Sequence, residues 1–227
     1  MLVRGMTTHS RIRSLFLEGR VGRLEAVLNV GSSNATHAAV VCHPHPLYGG
    51  TLHNKVVFHA MKALNHFGFP VLRFNFRGTG LSEGEHDFGT GEVDDVHVAL
   101  EWLRNEFRLP IVFAGFSFGG ATGMRAACPH SDVKAIISLG TPFSAEGRLY
   151  SYEFLVACNK PKLFLSGGAD QYANRSQLEQ LAATTPQATL VIVDDADHFF
   201  AGKLDQMRTA IESWIVAQGI ATAPSTH

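Results

Sequence analysis

The chain has 227 residues, of which 45% are hydrophobic and 17% are charged, so it is long enough for one globular domain with a sizeable core. Its formal net charge is −1, with basic and acidic residues spread along the length, which gives no reason to expect nucleic acid or an anionic membrane as a partner. No apolar stretch approaches the length of a membrane span, and the polar segment from Met1 to Arg13 lacks the apolar core of a secretory signal.

Apolar runs alternate with amphipathic segments along the chain, a pattern typical of a mostly parallel sheet covered by helices on both faces. Strands are predicted near residues 12–17, 23–30, 38–42, 69–76, 111–116, 133–139, 162–166 and 189–193. Helices are predicted over residues 52–67, 93–107, 119–128, 176–183 and 204–217. We therefore expect a single α/β domain at residues 11–218, between a flexible N-terminus at 1–10 and a flexible tail at 219–227.

Residues 140–160 are the one long connection without clear periodicity. They include four aromatic residues, namely Phe143, Tyr150, Tyr152 and Phe154. Long irregular loops in compact domains are usually either functional or disordered, and this density of aromatic side chains argues against disorder. We expect the segment to form a small cap or a pocket wall.

An apolar run ends at residues 115–119 in the pattern G-x-S-x-G, and small, helix-compatible residues follow. This context is typical of a nucleophile elbow, a sharp strand-to-helix turn that lifts a serine hydroxyl clear of the sheet. Gly115 and Gly119 stand where a side chain would collide, and the backbone of Ser117 is expected to be strained. The same letters surround Ser82, but no strand precedes it and no apolar helix follows, so context selects Ser117.

A nucleophilic serine needs a base that removes its proton and an acid that orients the base. In hydrolases with a nucleophile elbow, these partners follow the serine in the order acid, then histidine. His198 fits this order, because it lies in a loop between a predicted strand and the last helix. His130 also follows the serine but has no suitable acid before it, and His227 is the last residue of the tail.

The acid is expected just beyond the end of a strand, where Asp170 follows two glycines that allow a tight turn. The alternatives are Asp194, Asp195, Asp197 and, more distantly, Glu146. The three aspartates are neighbours of the histidine in sequence, and such neighbours rarely point at its ring. Asp170 is therefore the predicted acid.

Acyl transfer also requires N–H donors aimed at the developing oxyanion. One is expected to be the backbone N–H of Phe118, the residue after the serine. The second is expected from residues 43–50, which read His-Pro-His-Pro-Leu-Tyr-Gly-Gly and in which the two prolines have no N–H. We choose Leu47, with His45 and Tyr48 as alternatives.

The histidines of this loop, His43 and His45, also raise the hypothesis of a zinc site together with His53. No carboxylate or cysteine ligand pattern accompanies them, so we expect no metal, and serine chemistry requires no cofactor. Three scattered cysteines are too few for a disulfide framework or a zinc cluster. An odd number of thiols that we expect to be buried fits a reducing compartment, and we predict a cytoplasmic protein.

These residues resemble the α/β-hydrolase superfamily. The loop at 43–50, the segment LRFNFRGTGLSEG at 72–84 and the Asp-His-Phe-Phe of residues 197–200 are similar to its small dienelactone-hydrolase-like branch, which carries an HPHPxxGG motif. The resemblance spans roughly residues 20–217 and implies an α/β-hydrolase fold with a minimal cap. It further implies a triad of Ser117, Asp170 and His198. It also implies an oxyanion hole formed by Phe118 and Leu47. Dienelactone hydrolases carry a cysteine nucleophile, so the serine favours a plain esterase or thioesterase.

We therefore expect a serine hydrolase that cleaves a small acyl ester or thioester through an acyl-enzyme, as a monomer or homodimer. Ligand pockets are mostly apolar, and Tyr48, Phe143 and Phe199 are the candidates for the pocket wall. One alternative is a non-catalytic scaffold of hydrolase shape that binds a small ligand or a partner. Another is a peptidase or a dienelactone-type hydrolase.

Overall fold

Ten strands are present in the computed structural model, which describes residues 11–145 and 147–222. They are β1 (Ile12–Gly19), β2 (Gly22–Asn29), β3 (Ala38–Cys42), β4 (Val71–Phe74), β5 (Ile111–Phe116), β6 (Val133–Leu139), β7 (Ser144–Ala145), β8 (Arg148–Leu149), β9 (Lys162–Gly167) and β10 (Ala188–Val193). Eight of them form one sheet in the order β1-β2-β4-β3-β5-β6-β9-β10. The β1–β2 and β2–β4 pairs are antiparallel and the other pairs of this sheet are parallel. β7 and β8 form a separate antiparallel hairpin.

Within the described residues, five helices cover the sheet on both faces. They are α1 (Lys55–His66), α2 (Gly91–Phe107), α3 (Phe118–Ala127), α4 (Arg175–Thr184) and α5 (Leu204–Ala217). One apolar core lies under α2 and α3, and a second lies under α1 and α5. The central strands β3 and β5 are buried along their whole length, which explains why they read as unbroken apolar runs rather than as alternating patterns.

The predicted fold class is confirmed, and the ends of several elements match the prediction to the residue, as for β3, β5, β6 and α5. α1 begins three residues later than predicted because the side chain of Asn54 accepts a hydrogen bond from the Val56 N–H and caps the helix. β4 ends earlier than predicted, because the N–H of Phe76 is bonded to the ring of His43 rather than to a neighbouring strand.

The connection at 140–160 contains the β7–β8 hairpin and a 3₁₀ turn at Glu153–Ala157. It packs onto the body of the domain through Tyr152 and Leu155, which belong to the core under α2 and α3. Within the segment, the Tyr152 hydroxyl donates to the Pro142 carbonyl at 2.5 Å, and Phe143 packs edge-on against the Tyr152 ring, with 5.5 Å between the ring centroids. The segment is therefore an anchored connection between β6 and β9.

The predicted flexible ends lie mostly outside the described residues, which exclude 1–10 and 223–227, and with them His227. Ile220 and Ala221, which belong to the predicted tail, pack against the core under α1 and α5. Across the described residues, none of the helices combines the length and the apolar character that crossing a bilayer requires.

Candidate active site

Ser117 lies in a strained turn between the end of β5 and the start of α3. Its backbone has φ 52° and ψ −121°, in the left-handed half of the conformational map, where residues other than glycine are rare. A Cβ on Gly115 would lie 2.6 Å from the Gly119 carbonyl oxygen. A Cβ on Gly119 would collide with the carbonyl oxygen of His43. The predicted strain and the need for both glycines are confirmed.

Ser82, at the other G-x-S-x-G pattern, has a structural role. Its hydroxyl donates to the Asn75 carbonyl at 2.7 Å and accepts from the Glu25 N–H at 2.9 Å. Because these bonds use the hydroxyl to join β2 to the segment after β4, the side chain is unavailable as a nucleophile.

His198 and Asp170 are hydrogen-bonded to each other. The distance from His198 Nδ1 to Asp170 Oδ2 is 2.8 Å, and both side chains are buried. The other carboxylate oxygen, Oδ1, accepts from the Tyr172 N–H at 2.9 Å. Since a carboxylate can only accept, the proton of this imidazole lies on Nδ1, which leaves Nε2 with a free lone pair.

The other candidate acids do not take this position. Asp194, Asp195 and Asp197 are exposed, and Asp197 Oδ1 accepts the N–H groups of Phe199 and Ala201, which stabilises the local turn. Glu146 lies outside the described residues.

The imidazole of His198 is held by packing on several sides. The ring of Tyr172 meets it edge-on at 4.5 Å between centroids, and that of Phe116 lies at 4.9 Å. At the end of β6, Gly140 has φ 54°, and a Cβ there would lie 3.0 Å from His198 Cε1. The candidate base is thus fixed by contacts as well as by its hydrogen bond.

Ser117 and His198 line the same cavity, of about 70 Å³. Its walls include Tyr48, Tyr150 and Phe199. Among the described residues the Ser117 hydroxyl has no hydrogen-bond partner. It is therefore not hydrogen-bonded to the His198 imidazole either. Such bonds are often long or misaligned without a substrate and tighten when one binds.

The candidate N–H donors of the loop at 43–50 differ in whether they already have an acceptor. The Leu47 N–H that we chose donates to His45 Nδ1 at 3.3 Å, and the Leu47 side chain is 63% exposed. The Tyr48 N–H donates to the His45 carbonyl at 3.2 Å. His45 lines the cavity, and its own N–H has no acceptor among the described residues. The N–H of Phe118, at the start of α3, likewise has no acceptor among the described residues. The geometry therefore favours His45 over Leu47.

The two histidines of this loop are neutral at pH 7. His43 Nδ1 donates to the Pro44 carbonyl at 2.7 Å and Nε2 accepts from the Phe76 N–H at 3.0 Å. Burial lowers the pKa of His43 to about 4. Burial, with the charges of His86 and Arg148, likewise lowers the pKa of His45 to about 4. Over the described part of the chain, no three histidine, cysteine or carboxylate side chains are grouped to hold a metal ion.

Phe143 does not line the cavity of Ser117. It faces a separate cavity of about 380 Å³, together with Tyr152. Tyr172, which sequence reasoning missed, lines the serine cavity and contacts both Asp170 and His198. Its position two residues after the candidate acid is the signal that could have identified it, because a tight turn brings such a residue back onto the carboxylate.

Comparisons with known proteins agree with this architecture. A family model described as an alpha/beta hydrolase domain matches residues 39–222. The chain is 33% identical over 210 residues to the uncharacterised protein RP471 of Rickettsia prowazekii (strain Madrid E), covering 89% of this chain and 88% of that one. Among solved structures it is similar to XC6422 of Xanthomonas campestris, a serine hydrolase without a lid (31% identity, TM-score 0.81, 98% of this chain and 100% of that one).

It is also similar to a serine hydrolase homologue from Coxiella burnetii, with 32% identity and a TM-score of 0.81 over 94% of this chain and 100% of that one. Both likenesses extend over nearly the whole sheet and its helices. The family match includes the elbow, the aspartate and the histidine described above. The chain therefore belongs to the alpha/beta hydrolase domain family.

Proposed function

We propose that this protein is a serine hydrolase that cleaves small acyl esters or thioesters through an acyl-enzyme intermediate. The observation that carries the proposal is the 2.8 Å bond between His198 Nδ1 and Asp170 Oδ2, in a cavity that Ser117 shares at the elbow. The free Nε2 of His198 can then accept the serine proton, which is the role of a general base.

In the proposed reaction, Ser117 Oγ attacks the substrate carbonyl while His198 Nε2 takes the hydroxyl proton. Asp170 fixes the tautomer and stabilises the resulting imidazolium. The N–H groups of Phe118 and His45 donate to the oxyanion. The imidazolium then protonates the leaving group as the carbon–oxygen or carbon–sulfur bond breaks, and water releases the acid with the same histidine as base.

The size of the cavity supports a small acyl group. Its volume of about 70 Å³ is far below the roughly 300–1,000 Å³ of sites that enclose a drug-sized ligand. In the proposed complex the acyl group fills the space between Tyr48, Tyr150 and Phe199, and the leaving group extends towards solvent.

Residues 43–50 further support a place in the small dienelactone-hydrolase-like branch, with a serine nucleophile at the elbow. Three free cysteines support a cytoplasmic location, since thiols persist in reducing compartments.

Labelling with a fluorophosphonate probe tests the proposal. We expect one adduct on the native protein, none on Ser117→Ala and an undiminished adduct on Ser82→Ala, the matched serine of the second G-x-S-x-G pattern. Circular dichroism checks that each variant is folded. A folded native protein that takes no label would instead support the non-catalytic scaffold.

Substrate class is tested by hydrolysis of p-nitrophenyl esters of increasing chain length beside acyl-CoA thioesters of the same acyl groups. We expect kcat/KM to be highest for the shortest acyl chains. A maximum at long chains would contradict the small-acyl proposal while leaving the serine mechanism intact.

A further inference from the structure

Two cysteines meet at the end of α3 that is remote from the elbow. Cys128 directly follows α3, and Cys158 directly follows the 3₁₀ turn at Glu153–Ala157. Both line a cavity of about 370 Å³ at the protein surface. Ser117 and His198 do not line it, so this cavity is distinct from the proposed active site.

Two lysine ammonium groups lie beside this pair of thiols. Lys160 Nζ donates to the carbonyls of Ala127 and His130 at 2.9 and 2.5 Å. Lys162 Nζ, on a buried side chain, donates to the carbonyls of Cys158 and Lys160 at 2.5 and 2.6 Å. These bonds hold the ammonium groups in place, and neither forms an ion pair with a carboxylate within the described ranges.

The surroundings make the two thiols unequal. A hydrogen bond with Cys128 and the charges of Lys162 and Lys160 lower the pKa of Cys158, although burial acts in the opposite direction. The same hydrogen bond, together with burial, raises the pKa of Cys128. The ammonium group of Lys162 also lies next to Cys158, to whose carbonyl it donates. The thiolate is therefore favoured at Cys158, with Cys128 as the thiol that donates to it. Two further charged groups are close: Arg125 lines the cavity and Lys134 faces Lys160.

We propose that Cys158 and Cys128 form a peroxide-reactive dithiol, in which Cys158 is the attacking thiolate and Cys128 the resolving thiol. The Cys158 side chain is buried and Cys128 is partly exposed, so an oxidant would reach the pair through the cavity that both line. A cysteine with a lowered pKa beside a resolving cysteine has the character of an oxidation-sensitive site. This modification site lies at the end of α3 that is remote from the elbow. Its oxidation does not depend on the proposed hydrolase activity.

The chemistry balances with a hydroperoxide as the oxidant. The Cys158 thiolate attacks the terminal peroxide oxygen, an S–O bond forms as the O–O bond breaks, and the departing alkoxide takes a proton and leaves as the alcohol, or as water from hydrogen peroxide. The Cys128 sulfur then attacks the sulfenic acid sulfur. An S–S bond forms, the S–O bond breaks, and hydroxide leaves with the Cys128 proton as water.

The test treats the reduced, full-length protein with hydrogen peroxide, counts thiols under denaturing conditions and maps peptides by mass spectrometry. We expect the loss of two thiols per chain and a peptide pair joined through Cys128 and Cys158, both restored by dithiothreitol. Cys42→Ala, which removes the buried third thiol, should still lose two thiols. In Cys128→Ser the sulfenic acid cannot be resolved, so dimedone should label Cys158. In Cys158→Ser the attacking sulfur is absent, so no intramolecular disulfide should form and no joined peptide pair should appear.

A second measurement, made on the wild-type protein, tests the proposal even if the variants fail to fold. In the wild-type protein, the rate of alkylation of Cys158 by iodoacetamide should rise with pH at values below those of an ordinary cysteine thiol, because its pKa is lowered. Lys162→Gln should shift this profile to higher pH. Preferential alkylation of Cys128, an alkylation profile centred above pH 8, or a peroxide-treated protein that retains all its thiols would overturn the proposal.

Discussion

Gly119 of α3 lies directly against the backbone of His43, so closely that a Cβ would collide with the His43 carbonyl oxygen. Because His43 begins the loop that follows β3, this contact joins the elbow helix to the loop that holds the proposed second oxyanion donor. The proposed nucleophile and the proposed oxyanion donors are thus positioned relative to one another by main-chain atoms. Main-chain atoms cannot move aside as a flexible side chain can, so the geometry of the site depends on the absence of one methyl group.

Gly119→Ala should therefore reduce both stability and activity. We expect a loss of about 1–3 kcal/mol in the free energy of unfolding, as for overpacked cores, and a loss of about 10²-fold in kcat, as when catalytic groups are displaced by about 1 Å. Urea unfolding and ester hydrolysis measure the two effects. Gly202→Ala is the control, because its Cβ would meet open space and only its φ of 69° opposes alanine. Equal behaviour of the two variants would contradict this role for Gly119.

The strain at Ser117 predicts that Ser117→Gly is inactive but more stable than Ser117→Ala. At φ 52° and ψ −121°, glycine is tolerated where serine and alanine are not. Ser117→Gly should therefore unfold at a higher urea concentration than Ser117→Ala, by about 1–2 kcal/mol in the free energy of unfolding. Both variants should lose about 10⁶-fold in kcat if Ser117 and His198 act as a unit. A less stable glycine variant would show that the turn is not strained.

Asp170→Asn should lower kcat by roughly 10⁴-fold, because an amide can donate to Nδ1 and so stabilise the wrong imidazole tautomer. Asp197→Asn is the matched control: this exposed carboxylate lies next to His198 in sequence but stabilises only the local turn. We expect it to keep kcat within about 10-fold. Steady-state hydrolysis of a p-nitrophenyl ester measures both. If the control were the more damaging substitution, the assignment of the acid would be wrong.

The oxyanion donor can be tested by removing single N–H groups with proline. His45 has φ −53°, which proline can adopt, so His45→Pro removes the N–H with little demand on its own backbone. We expect kcat about 10²–10³-fold below that of His45→Ala, which lacks the ring but keeps the N–H. Leu47→Pro should cost less than about 10-fold. The opposite ranking would restore Leu47 as the donor.

Acidification should destabilise the protein through His43. Burial holds its pKa at about 4 in the folded state, against 6.5 when unperturbed. The unfolded state therefore binds more protons between these pH values, and stability present above pH 6.5 is lost as pH falls. At 1.36 kcal/mol per pH unit, this residue accounts for about 2 kcal/mol between pH 6.5 and 5. Urea unfolding at both pH values measures this loss, and the free energy of unfolding should decrease less for His43→Gln than for the wild-type protein. An equal decrease would mean that other groups are responsible.

The elements that could be predicted from sequence are those in which local pattern and burial agree. β3 and β5 are unbroken apolar runs because both of their faces are covered. The elbow can be recognised because its turn leaves no room for a side chain at either of its glycines. Asp170 and His198 could be chosen because the ends of parallel strands meet at one edge of the sheet. Each of these inferences rests on a constraint that acts within a few residues or along one edge.

The remaining features depend on where side chains point, which local pattern does not fix. The prolines at 44 and 46 excluded two N–H groups, but only the fold reveals that the His45 ring accepts the Leu47 N–H. Phe143 was chosen for its aromatic character, and its ring packs on Tyr152 instead. Tyr172 was overlooked because its role arises from a turn that folds back onto a carboxylate.

One short helix separates the proposed active site from the proposed dithiol. α3 has 10 residues, so its ends lie about 15 Å apart. A phosphonate dye at the serine and a thiol dye at the far end can therefore occupy the same chain without touching. Any bending or fraying of α3 would change the distance between the two labels.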